Sequence, residues 1–139
     1  MRVMVIVKAN EDSENGRLPS AEEFARMGQY NEQLVNAGVM LAGEGLTASR
    51  QGKRVRFGKD AAVLDGPFAE TKELVAGFWI WQVSSMDEAV EWAKRAPFPD
   101  GQYLELRKVM EGEDLGAGFT AEVQAAEQKL RDQIAAQQQ

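Results

Sequence analysis

The sequence predicts an α+β domain in which a β-α-β unit is written twice, with a hairpin arm between the halves and a further helix at the C-terminal end. Three observations carry that prediction. Two Ser-x-x-Glu boxes, Ser20-Ala21-Glu22-Glu23 and Ser85-Met86-Asp87-Glu88, each open a stretch of helical spacing. Each of those stretches lies between runs of strand length: 2–8 and 39–46 around the first, 74–83 and 102–110 around the second. The runs at 2–8 and 74–83 are apolar on both faces, whereas two helices can cover only one side of a sheet. The result is the ferredoxin-like βαβ-βαβ plan, and the uncovered side calls for the same sheet of a second subunit, giving a dimeric α+β barrel.

The elements follow in order. Residues 2–8 form a strand with Val3, Val5 and Val7 on one face and Met4 and Ile6 on the other. Residues 9–19, rich in Asn, Glu, Asp, Ser and Gly, read as a loop. Ser20 then caps a helix over about 21–37, whose stripe is Phe24, Met27, Tyr30 or Asn31, and Leu34. Gly38 stops it in the left-handed position. Val39 to Leu46 is the second strand. Gly43, Gly45 and Ala48 there fit the dinucleotide pattern G-x-G-x-x-A, but that pattern needs a helix directly after the glycines, and Thr47 to Gly52 reads as a turn. The glycines are instead expected to permit a bulge or a close backbone approach.

Lys53-Arg54-Val55-Arg56-Phe57 and Ala61-Ala62-Val63-Leu64 form the arm, joined by Gly58-Lys59-Asp60, with Arg54 and Arg56 on one face. That face reads as an edge protected by positive charge, or as a basic strip that meets an anionic ligand. Next comes Asp65-Gly66-Pro67-Phe68-Ala69-Glu70-Thr71-Lys72-Glu73, a turn signal, an aromatic and four charges between apolar runs. Gly66 and Pro67 are expected to turn the chain and swing Phe68 inward, with the Asp65 carboxylate accepting turn amides. Glu70 and Lys72 would share a face if the segment is extended. In the 74–83 strand Phe78 and Ile80 point one way, and Trp79, Trp81 and Val83 the other. Ser85 caps the second helix, and Pro97 and Pro99 end it. The last core strand, 102–110, puts Leu104 and Leu106 on one face and Tyr103, Glu105 and Arg107 on the other. After this 2–110 domain, residues 111–118 read as a linker, and Thr120 caps a helix to about 136 with a narrow stripe of Val123, Ala126, Leu130 and Ile134. The 111–139 tail holds six acids against Lys129 and Arg131, so most of the chain's net charge of −6 lies there.

Composition narrows the function. With 139 residues one compact domain is expected. An acidic chain without a basic block is no direct nucleic-acid binder, and no run reaches the roughly 18 apolar residues of a membrane span. There is no cysteine and no histidine, hence no disulfide, no thiolate site and no imidazole base. No metal site and no cofactor are expected, and the reducing cytoplasm is the expected compartment.

Gly43-Glu44-Gly45-Leu46, Arg54-Val55-Arg56, the run from Asp65 to Glu73, Gly77-Phe78, and Glu88-Ala89-Val90-Glu91-Trp92-Ala93 together resemble the DGPF family, part of the YCII-related group, over about residues 2–110. The resemblance implies a dimeric ferredoxin-like barrel, in agreement with the pattern. It implies a regulatory setting, since such proteins are often encoded beside sigma factors of the extracytoplasmic-function type. Some of the wider group resemble small enzymes with a His–Asp pair, including a dehydrochlorinase of chlorinated aromatics, and that pair has no counterpart in a chain without histidine.

Two functions follow. One is a homodimeric module binding a small anionic or aromatic ligand, or serving regulation, with Asp65, Phe68, Glu70, Lys72, Arg54 and Arg56 at the ligand. The other is a small enzyme acting on an organic substrate, aromatic ones included, by carboxylate acid–base chemistry, with Asp65, Glu70, Lys72 and Glu44 as the candidate catalytic residues.

Overall fold

The computed structural model describes residues 1–139, apart from the side chain of Lys72. The chain forms two units, Met1–Lys108 and Val109–Gln139.

In the first unit, strands β1 (Arg2–Lys8), β2 (Met40–Gly45), β5 (Val75–Gln82) and β6 (Leu104–Lys108) make a four-stranded sheet in the order β2-β5-β1-β6. All neighbouring strands are antiparallel. With α2 (Ala21–Asn36) and α3 (Met86–Lys94) as the crossovers, this is the ferredoxin-like α+β plan. Strands β3 (Lys53–Arg56) and β4 (Ala62–Asp65) form a separate two-stranded sheet, the arm. The stretch expected to be loop at 9–19 contains a short helix, α1 (Glu11–Glu14). Asn10 caps it, its side chain accepting from the Ser13 N–H while the Ser13 hydroxyl accepts from the Asn10 N–H. A serine in place of the usual Glu or Gln at the third helical position hid this box from a sequence reading.

Both expected helix starts are present. The Ser20 hydroxyl accepts from the Glu23 N–H at 3.1 Å, and the Ser85 hydroxyl from the Glu88 N–H at 3.1 Å. The carboxylates of the two glutamates bond outside the box. Glu23 takes the Arg17 guanidinium at 2.8 Å, which holds its carboxyl below the usual carboxylate range. Glu88 accepts from the Ser84 hydroxyl and N–H, each at 2.6 Å, with the same effect. Gly38, at φ +73°, follows the C-cap of α2 as expected.

The core lies between sheet and helices. Val3 and Val5 pair with Trp81 and Trp79 on β5, and with Tyr30, Leu34, Val39, Val83 and Ala89 they are buried. Aromatic side chains of this size each bury about 150–250 Å². Trp79 meets Tyr30 edge-on at 5.9 Å, Trp81 tilted at 5.7 Å and Phe98 edge-on at 6.2 Å. On the other side of the sheet, Met4 and Ile6 pair with Ile80 and Phe78, and all four are only half-buried. The last strand is shorter than the expected 102–110, because Gln102 is spent on the turn, its amide donating to the Lys8 and Tyr103 carbonyls.

In the second unit, a 3₁₀ turn at Gly112–Asp114 interrupts the expected linker, and α4 (Ala121–Gln137) starts at Thr120, whose hydroxyl accepts from the Val123 N–H. An Arg131–Glu127 pair at 2.8 Å runs along α4. Among the described residues no helix is long and apolar enough to cross a membrane.

Candidate functional site

A cleft of about 290 Å³ opens between the sheet and α2. Its floor follows from the register. Gly43 pairs with Trp79, Gly45 with Gly77, and Val7 with Gly77, so these positions share the helix-covered face. Three glycines on one patch of that face leave a hollow where side chains would otherwise fill the layer. Phe24, Met27 and Asn31 of α2 form one wall and Phe98, beyond α3, another. The walls are mainly apolar.

Gly43 also determines how Trp79 lies. A Cβ there would stand 2.8 Å from Trp79 Cδ1 and 3.2 Å from Nε1, so only glycine admits this edge of the indole. The ring then donates its Nε1–H to Asn31 Oδ1 at 2.9 Å. The neighbouring Trp81 Nε1–H, fully buried, has no acceptor among the described residues. Tyr30 supports the same group: its hydroxyl donates to the Trp92 carbonyl at 2.6 Å, and burial pushes the phenol up to about 12. Of the two expectations for these glycines, the close approach is met; the β2–β5 register shift lies before them, between Met40 and Ala42. The residues after them form a 3₁₀ turn, Ser49–Gln51, so no helix start stands ready for a pyrophosphate.

The 65–73 segment is organised differently. Gly66 packs on the Ser49 carbonyl, where any Cβ would overlap the oxygen, and its N–H donates to the Gly52 carbonyl at 3.0 Å. The Gly66–Pro67 peptide is cis. Ser49 is itself gripped by Glu14 of α1: its N–H donates to Glu14 Oε2 at 2.9 Å and its hydroxyl to Oε1 at 2.5 Å. The same hydroxyl accepts the Phe68 N–H at 3.1 Å. Glu14 and Ser49 thus tie α1, the 3₁₀ turn and the segment together, and charge-assisted bonds of this kind are about twice as strong as neutral ones.

Several expectations for the segment need correction. Phe68 is half-buried and outside the core; the Arg54 guanidinium stacks over its ring at 3.9 Å and Gly52 lies beside it. The Asp65 carboxylate does not take turn amides. It is exposed and paired across the arm with its register partner Lys53, whose Nζ lies 2.5 Å away. Glu70 and Lys72 do not share an extended face, because Glu70 is left-handed at φ +64° and Thr71–Glu73 is a 3₁₀ turn. Glu70 is exposed, and the side chain of Lys72 lies outside those described. Arg56 is exposed on an arm whose two faces are both largely open.

Of the sequence candidates among the described residues, only Glu44 borders the cleft. Its register partner is Phe78, which directs both side chains to the far face of the sheet. Asp65, Phe68, Arg54 and Arg56 gather on and beside the arm instead. Asn31 stood in the sequence only as an alternative to Tyr30 on the helix stripe. Gly77 opposite Gly45 was the available signal for a hollow floor, but it is visible only once the register is known. Nothing in the sequence marked Glu14 or Ser49.

This ferredoxin-like sheet with a ligand-sized hollow under its first long helix has relatives. The YCII-related domain matches residues 1–113, and the chain belongs to that family. Over 35 residues it is 49% identical to the uncharacterized protein R00369 of Rhizobium meliloti (strain 1021), a match spanning 25% of this chain and 28% of that protein. Among solved structures it is similar to 5-chloro-2-hydroxyhydroquinone dehydrochlorinase (TftG) of Burkholderia phenoliruptrix AC1100 in complex with 2,5-dihydroxybenzoquinone, at 18% identity and a TM-score of 0.47, covering 81% of this chain and 97% of that one.

Proposed function

We propose that the protein is a homodimeric module that binds a small aromatic ligand in the cleft beneath α2. The observation that carries this reading is the glycine floor, which leaves about 290 Å³ open between Phe24, Met27, Trp79 and Phe98. Ligand pockets run from about 300 to 1,000 Å³. The cleft lies at the small end and fits one ring with small substituents. Of the two ligand classes expected from the sequence, the aromatic one suits these walls, for which ring faces and edges are the available contacts. Acid–base chemistry in the cleft would rest on Glu44, and the register turns that carboxylate away, so binding is favoured over turnover. The half-buried Met4, Ile6, Phe78 and Ile80 form an apolar band on the other face that suits a second copy of the sheet. A regulatory role, the setting implied by the sequence resemblance, would use the ligand as its signal.

The test uses Gly45. A Cβ on Gly45 meets nothing within 4 Å, so Gly45→Leu fills the cleft without a backbone clash. Calorimetric titration with phenol, catechol and acetophenone is expected to show binding to the wild type and none to Gly45→Leu, with both proteins folded. Equal binding by the two, or none by the wild type, would remove the cleft as the site.

A further inference from the structure

We propose that Asn31 is the specificity-determining residue of the cleft: Trp79 claims its amide oxygen, so its amide nitrogen meets the ligand as a donor and selects aromatics bearing a hydrogen-bond acceptor. This rests on the cleft being the ligand site and adds which ligands it takes.

The argument starts from the indole. Its N–H is a donor and never an acceptor, so the side-chain atom 2.9 Å from Trp79 Nε1 must be the Asn31 oxygen. The amide orientation of an asparagine is usually ambiguous; a donor-only partner removes the ambiguity. Trp79 has no freedom to turn away. It is 5% exposed, with Tyr30, Trp81 and Phe98 packed around it. Gly43 leaves room for its Cδ1–Nε1 edge in this one position. Once the oxygen is taken, the Asn31 nitrogen remains. Asn31 borders the cleft, and among the described residues its nitrogen has no protein partner. A half-buried amide donor beside Phe24, Met27 and Phe98 discriminates because those neighbours supply no competing acceptor side chain. A ligand carbonyl or phenolate oxygen satisfies it. A ligand of the same shape without an acceptor leaves it desolvated and unpaired, which costs more than the bond itself gains.

The probes are acetophenone and its isostere α-methylstyrene, which differ by C=O against C=CH₂, titrated calorimetrically into the full-length protein. The wild type is expected to bind the ketone about tenfold more tightly, the size of one well-made hydrogen bond. Asn31→Asp keeps an oxygen for Trp79 and offers a second one to the ligand, so the ketone's advantage is expected to vanish. Trp79→Phe removes the indole N–H and frees the amide to turn, so the advantage is expected to fall below about twofold. This second variant reads the orienting role of Trp79 even if the aspartate variant does not fold. Wild type that binds both probes equally, or Trp79→Phe that keeps the tenfold preference, overturns the proposal and leaves the cleft intact as a site. Wild type that binds neither probe overturns the cleft reading and the specificity with it.

Discussion

Gly43 and Gly66 are both indispensable for lack of room, and they belong to regions built on different physics. Around Gly43 the missing side chain admits the edge of an indole into a closely packed aromatic layer, and Trp79, Trp81, Val3 and Val5 are all nearly or fully buried. Around Gly66 it lets one backbone lie on another, and the neighbourhood is held by Glu14, Ser49 and the Asp65–Lys53 pair, with Phe68 only half-buried. The first region depends on area removed from water, the second on satisfied hydrogen bonds. Burial stabilises in proportion to area, so the same truncation should cost very different amounts in the two places.

Aromatic truncation gives the largest contrast. Trp81, fully buried, is expected to cost about 3–5 kcal/mol when changed to Ala, and Phe68 only about 1–2 kcal/mol because its ring is half-buried under Arg54. Urea denaturation of the two variants measures both; equal losses would erase the distinction between the regions. Glycine replacement comes next. Gly66→Ala must drive the segment off the Ser49 carbonyl and is expected to cost about 3 kcal/mol. Gly45→Ala, where a Cβ meets open space, is expected to stay within about 0.5 kcal/mol of wild type. A small effect at Gly66 would show that the segment shifts freely.

The same contrast explains what could be read from the sequence. Elements built by periodicity were legible: Val3, Val5, Trp79 and Trp81 alternate, and Ser20 and Ser85 mark where backbone amides need a cap, so strands, helices and their order followed. The 65–73 segment was conspicuous as letters, yet its structure depends on partners far away in sequence. Ser49 and Glu14 lie 35 residues apart, and no spacing rule connects them. The extended reading that put Glu70 and Lys72 on one face failed because the chain turns left-handed at Glu70. The cleft was hidden for a similar reason: Gly43, Gly45 and Gly77 become one surface only through the β2–β5 register.

Within the buried region the alkaline limb of stability offers a smaller signal. Tyr30 has its phenol pushed up from 10.0 to about 12 by burial, so the folded state holds this proton more tightly than the unfolded chain. Its contribution is complete below about pH 10. It is lost progressively as pH rises from 10 through 12, because the unfolded chain ionises first. A shift of that size corresponds to roughly 3 kcal/mol. Tyr30→Phe should therefore be less stable near neutrality, through loss of the bond to the Trp92 carbonyl, yet show a shallower decline between pH 10 and 12. Parallel declines in both proteins would mean that Tyr30 is not the group being titrated.

One further effect lies in the hydrogen-bonded region and has the opposite sign. Glu70 adopts φ +64°, where an L side chain crowds the backbone at a cost of about 1–2 kcal/mol. Glycine takes that conformation without the crowding, although it also gives the unfolded chain more freedom, worth roughly 0.5–1 kcal/mol. Glu70→Gly is therefore expected to raise stability by about 0.5–1 kcal/mol. The exposed Glu70 side chain gives little to set against that gain. A measured increase would show that the chain carries strain at this position for a reason other than its own folding, and dimer dissociation and aromatic binding, measured on the same variant, would locate that reason. A decrease would show that the carboxylate holds the turn together, and the contrast between a region of packing and a region of hydrogen bonds would then extend to its most exposed residue.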